Sequence, residues 1–184
     1  DFIREMEEAG YRDLSPSQLV AMRIHDVDAG FVREMEQFGF SSLPAEALLA
    51  MRIHDVSPDY VAAMRALGFA SLRWENLVAG RIHDVTPSFV REMNDAGLGT
   101  LAFEMLVAMR IHDVTPGFAQ GIRETGYTPT AEQLVAMRIH DIDAGYIREV
   151  VAREGRISLD DIFDIRIRGD EDHDHDHENR NRSR

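Results

Sequence analysis

Arg23-Ile24-His25-Asp26-Val27 decides how this chain is read. The same five residues return at Arg52–Val56, Arg81–Val85 and Arg110–Val114, and a fifth copy, Arg138–Ile142, differs only in its last residue. The copies start 29, 29, 29 and 28 residues apart, and a degraded sixth follows as Arg166-Ile167-Arg168-Gly169. A fixed period of this length marks stacked units that each borrow an apolar interior from their neighbours. The expectation is an all-α fold, an αα-hairpin repeat solenoid of five to six units. Their bounds fall near 1–27, 28–56, 57–85, 86–114, 115–142 and 143–169.

Outward from the phrase, two short helices emerge in each unit. Leucines (Leu19, Leu48, Leu77, Leu106, Leu134) and isoleucines (Ile24, Ile53, Ile82, Ile111, Ile139) flank a constant alanine in the second helix. A small residue there lets neighbouring helices approach to roughly 8–10 Å. Glu46, Glu75, Glu104 and Glu132 stand in its first turn, where an acid meets the positive end of the helix dipole. The first helix starts at Asp28, Ser57-Pro58, Thr86-Pro87 or Thr115-Pro116, an N-cap side chain followed in three units by proline at the first helical position. It ends at Gly10, Gly39, Gly68, Gly97 or Gly126, the residue that takes a left-handed conformation without a Cβ penalty. Methionines recur at helical spacing (Met6, Met35, Met64, Met93; Met22, Met51, Met109, Met137) and read as core. Gly121, inside the first helix of the fifth unit, costs about 1 kcal/mol relative to alanine. Asp160, Asp161 and Asp164 give the last unit the polar face of a terminal cap. Asp1 opens inside a unit, so further repeats or another domain are expected ahead of it.

Composition narrows the chemistry. No cysteine occurs among the 184 residues, which removes disulfides, thiolate catalysis and cysteine-ligated metal sites. All 20 basic residues are arginine, so lysine Schiff-base and phosphate-loop chemistry is absent. A net charge of −13 argues against a nucleic-acid partner, whose phosphates need a positive surface. No apolar run approaches the ~20 residues of a membrane span.

Five His-Asp pairs (His25-Asp26, His54-Asp55, His83-Asp84, His112-Asp113, His140-Asp141) invite a metal or hydrolase reading. Ligands must converge to about 2 Å from one ion, whereas equivalent residues of stacked units stand a helix spacing of roughly 8–10 Å apart. The pairs therefore read as structural: Arg and His close the last turn, where cations meet the helix carbonyls, and Asp takes the left-handed position after it. Arg23, Arg52, Arg81, Arg110 and Arg138 form a ladder that offers either an anion-binding strip or, in the favoured reading, pairing with acids of the same or adjacent units. Trp74 breaks the repeat, either as a binding anchor or, more in keeping with its place, as a packing residue. No unique acid–base set is present, so catalytic and cofactor-binding residues are not assigned and the chain is not read as an enzyme. Residues 170–184 contain no apolar side chain and read as a disordered acidic tail. There His173, His175 and His177 alternate with aspartates, a pattern suited to weak capture of Zn, Ni or Cu.

The unit Val-Thr-Pro-x-Phe-Val-Arg-Glu-Met-x-x-x-Gly-Phe, followed by Leu-Val-Ala-Met-Arg-Ile-His, resembles a bacterial repeat found C-terminal to membrane antirepressor metallopeptidases of the BlaR/MecR type and in anti-sigma-factor-like proteins. The resemblance spans residues 1 to about 169. Those copies usually carry Gly after the His, where this chain has Asp26, Asp55, Asp84, Asp113 and Asp141. The peptidase motif His-Glu-x-x-His is absent. The resemblance implies a sensory or regulatory appendage on the extracytoplasmic, periplasmic side, without peptidase activity. The expected function is a non-catalytic scaffold for a protein or peptide partner. The alternatives are metal binding or sensing through the His/Asp tail, and a self-assembling repeat protein with limited self-association.

Overall fold

The computed structural model describes residues 1–169; the tail and its three histidines lie outside them. Every regular element among the described residues is helical. The first helices are α1 (Phe2–Glu8), α3 (Ala29–Gln37), α5 (Pro58–Ala66), α7 (Pro87–Met93), α9 (Pro116–Arg123) and α11 (Ala144–Glu154). The second helices are α2 (Pro16–Ile24), α4 (Ala45–Ile53), α6 (Trp74–Ile82), α8 (Phe103–Ile111), α10 (Ala131–Ile139) and α12, over 159–169. The chain divides into two compact bodies, Asp1–Arg91 and the residues from Glu92 onward. In the first body α1 packs on α3, α2 on α4 and α4 on α6; in the second α8 packs on α10 and α9 on α11. Like helices of successive repeats thus lie side by side in each body.

Local chemistry starts and stops these helices where the sequence places the signals. Asp28 accepts from the Phe31 amide (2.8 Å), Ser57 from Tyr60 (3.2 Å), Thr86 from Phe89 (3.1 Å) and Thr115 from Phe118 (3.1 Å). Each bond satisfies one of the amides that a helix start leaves open. In the fourth unit a π-helical turn, Asn94–Leu98, carries the chain past the end of α7, with Gly97 at φ 79°.

Every second helix from α2 to α10 ends alike. His is the C-cap and the following Asp turns left-handed, with φ between 51° and 61° at Asp26, Asp55, Asp84, Asp113 and Asp141. The next residue's amide then reaches back to the helix: Val27 to the Met22 carbonyl at 2.8 Å, and Val56 to Met51, Val114 to Met109 and Ile142 to Met137, each at 2.7 Å. That bond closes the last turn and seats Val27, Val56, Val85, Val114 and Ile142 in the core. Asp tolerates this geometry but does not prefer it as glycine does. Asp141→Gly is therefore expected to stabilise the protein by up to about 1 kcal/mol, and Asp141→Val to destabilise it by about 1–2 kcal/mol; thermal unfolding of the two variants checks the opposite signs.

The methionines are core in both helices. Met6, Met35, Met64, Met93, Met22, Met51, Met109 and Met137 have no exposed surface. An unbranched, polarisable side chain suits the irregular gaps of a seam between helices.

Candidate functional site

The arginine ladder is tied into the fold at each rung where a partner can be named. Arg81 donates Nε to the His54 carbonyl (3.4 Å) and pairs with the Asp55 carboxylate. Arg138 donates Nε to the Asp113 carbonyl (2.9 Å) and Nη2 to its carboxylate (3.2 Å). Arg166 donates to the His140 carbonyl (2.8 Å) and lies 4.0 Å from the Asp141 carboxylate. Each of these guanidiniums caps the carbonyl end of the preceding repeat's second helix, where a cation is favoured.

The other face of each guanidinium rests on an aromatic ring of its own repeat. Arg23 lies 5.0 Å from the centre of Phe2, Arg52 4.1 Å from Phe31, Arg81 5.2 Å from Tyr60, Arg138 4.2 Å from Phe118 and Arg166 5.4 Å from Tyr146. These are cation–π distances. The pairing with acids is the one read from the sequence for the ladder; the ring beneath each arginine is not. Its signal is an aromatic 20 or 21 residues upstream of each of these arginines.

A second set of arginines does similar work at the first helices. Arg65 donates to the Phe38 carbonyl, Arg123 to Gly97 (2.8 Å) and Arg156 to Gly126 (2.7 Å). Two tyrosines also bridge repeats, Tyr11 donating to the Leu43 carbonyl and Tyr127 to the Ile157 carbonyl, both at 2.7 Å, while Tyr60 donates to the Val85 carbonyl of its own repeat at 2.9 Å.

Burial, opposed only in part by the charge of Arg81, pushes the Tyr60 hydroxyl up to about 12. The neutral phenol is the form the fold favours. Its contribution is complete below the ordinary tyrosine value of 10.0 and is lost as pH rises from there towards 12. Wild type is expected to lose no more than about 2 kcal/mol in that window beyond what Tyr60→Phe loses, solvent screening included; denaturant midpoints of the two proteins across the window measure it.

The His-Asp pairs do not converge. Among the described residues no group of three or more His, Asp or Glu stands close enough to hold a metal ion. Trp74 opens α6, half-buried, beside Arg73, which pairs with Glu75.

What remains on the surface is apolar. Ile24, Ile53, Ile82, Ile111 and Ile139 are 53–68% exposed. Each is the last residue of its helix, two positions past a fully buried methionine or, in α6, a buried glycine. In the first body α2, α4 and α6 lie side by side, so Ile24, Ile53 and Ile82 occupy equivalent places on adjacent helices. Beside Ile24 the face opens into a groove lined by Phe2, Ile3, Leu19, Val20 and Arg23. The second body presents Ile111 and Ile139 from α8 and α10 in the same way. Scattered exposed isoleucines are ordinary, but within each body one at the same place on adjacent helices forms a column, the kind of apolar surface that marks an interaction site. The sequence showed these isoleucines as part of the helix pattern; their exposure was not legible there.

Comparison of the chain with protein-family models, with curated proteins and with solved structures returned no match. No helix among the described residues is long and apolar enough to cross a membrane.

Proposed function

We propose that this protein is a non-catalytic helical-repeat scaffold whose second helices hold a protein or peptide partner. The recurrent exposure of Ile24, Ile53, Ile82, Ile111 and Ile139 carries this reading. A repeat that hides its methionines completely has the means to hide an isoleucine, and here it does not. The rest of the chemistry points the same way: Arg81 with Asp55, Arg138 with Asp113, and Tyr11 and Tyr127 are spent on joining one repeat to the next. The bacterial repeat that the unit resembles adds a regulatory, extracytoplasmic setting to the proposal. Photo-crosslinking tests it. A crosslinker in place of Ile53 is expected to trap one identifiable partner that one in place of Arg33, on a first helix, does not. Purified partner should then bind wild type and not Ile53→Ser. Equal trapping from both positions, or none from Ile53, defeats the proposal.

A second reading rests on the alternation of His173, His175 and His177 with aspartates. Alternating imidazoles and carboxylates suit weak binding of Zn, Ni or Cu. Deleting 170–184 is expected to abolish zinc binding in calorimetry; binding that survives the deletion refutes it.

A further inference from the structure

We infer that the isoleucine column of the first body, Ile24, Ile53 and Ile82, receives a cationic, apolar polypeptide segment of another protein. This deepens the scaffold reading and rests on it. The argument is one of charge. Residues seven apart on a helix share a stripe, so Glu46 stands on the stripe of Ile53, and Glu75 on that of Ile82. Past the other end of each stripe comes the left-handed Asp55 or Asp84. At α4 and α6 the apolar column is therefore rimmed by acids at both ends; α2 has Ser17 in place of the first-turn acid and keeps Asp26 past its end.

The cations of α4 and α6, Arg52 and Arg81, are partly covered, whereas Arg23 of α2 is exposed beside Ile24. The Arg81 side chain is 27% exposed while its partner Asp55 is 81% exposed. The second body repeats the asymmetry, at 33% against 80% for Arg138 and Asp113 and 30% against 87% for Arg166 and Asp141. Each guanidinium is pinned between a ring and a helix end, and the carboxylate is left facing solvent. Arg73, paired with Glu75, is a basic side chain at this rim, and Arg23 is another, beside Ile24.

Such a face repels its own kind. A second copy laid on it brings acid against acid in a chain of net charge −13, and an anionic lipid surface meets the same repulsion. A segment with apolar side chains to cover the isoleucines and Arg or Lys between them meets neither obstacle. Adjacent second helices offer one isoleucine each roughly 8–10 Å, the helix packing distance. A polyproline-II chain presents every third residue on one side at about 9 Å.

The test uses the full chain and fluorescein-labelled peptides of repeated Leu-Arg-Ser, with Leu-Glu-Ser and Ser-Arg-Ser as comparisons, read by anisotropy. Leu-Arg-Ser is expected to bind, with a Kd that rises on adding salt. Ile53→Ser with Ile82→Ser should weaken it about tenfold or more, and Glu46→Gln with Glu75→Gln severalfold with a shallower salt dependence. Both comparison peptides should bind at least about tenfold more weakly. If Leu-Glu-Ser binds as tightly and still depends on the isoleucines, the charge assignment is wrong and the scaffold reading survives. If no peptide's binding depends on the isoleucines, both fail. If sedimentation shows a dimer that the isoleucine variants dissolve, the occupant is a second copy and the inference is overturned.

Discussion

Phe31→Ala is expected to destabilise the protein by about 3–5 kcal/mol, the range for truncating a fully buried aromatic ring. Phe31 is among the largest side chains with almost no exposed surface; it lies on α3, which packs on α1, and Arg52 of its own repeat's second helix lies over its ring. Its removal has a further consequence. The Arg52 guanidinium lies 4.1 Å from the ring centre, and Arg52 Nε is buried without a hydrogen-bond acceptor. The ring face is what the charge rests on, and alanine leaves that charge over a cavity. Denaturant unfolding of Phe31→Ala, Arg52→Met and the double variant should show coupling of about 0.5–2 kcal/mol. Additive losses instead mean that Arg52 and Phe31 merely touch.

Val56→Asp is expected to cost about 4 kcal/mol or more, while Ile53→Asp, three residues away, costs less than about 1 kcal/mol. Val56 is 0% exposed and Ile53 53% exposed. Val56 follows the left-handed Asp55, and its amide is tied to Met51, so its side chain has no route to water without opening the end of α4. A carboxylate there must either be desolvated or unfold the turn. Ile53 carries the same chemistry on the open side, and its replacement meets only the mild disfavour of an acid near a helix C-terminus. With total stabilities of about 5–15 kcal/mol, the first change removes a large share of the folded population and the second leaves it intact. Circular dichroism melts of both variants give the comparison directly. Comparable losses from the two mean that the isoleucine column is part of the core, and the proposed docking face goes with it.

The repeat also bears on self-association. The acidic rims that favour a cationic partner oppose stacking of like faces, and salt should relieve that opposition. Any dimer formed through the isoleucines is therefore expected to strengthen with ionic strength, the reverse of the Leu-Arg-Ser peptide.

The sequence by itself determined where the helices begin and end and which residues close them. Ser57 and Thr115 cap, Gly39 and Gly68 terminate, and Asp55 and Asp141 turn left-handed where the reading placed them. These are events within one turn of backbone, governed by side chains a few residues apart, so they are legible from neighbours in the chain. The favoured reading of the arginine ladder, pairing with acids of the same or adjacent units, was legible too, and the structure sets Arg81 on Asp55 of the preceding unit. The tertiary structure alone decided which apolar side chains are covered. Leu48, Met51 and Ile53 are equally apolar in Leu-Leu-Ala-Met-Arg-Ile, yet the first two are enclosed and the third is open. The difference is made by neighbouring helices distant in sequence: α2 and α6 pack on either side of α4, and Ile53 is left outside what they and the rest of the core cover, so burial depends on that occupancy and not on the residue's own chemistry.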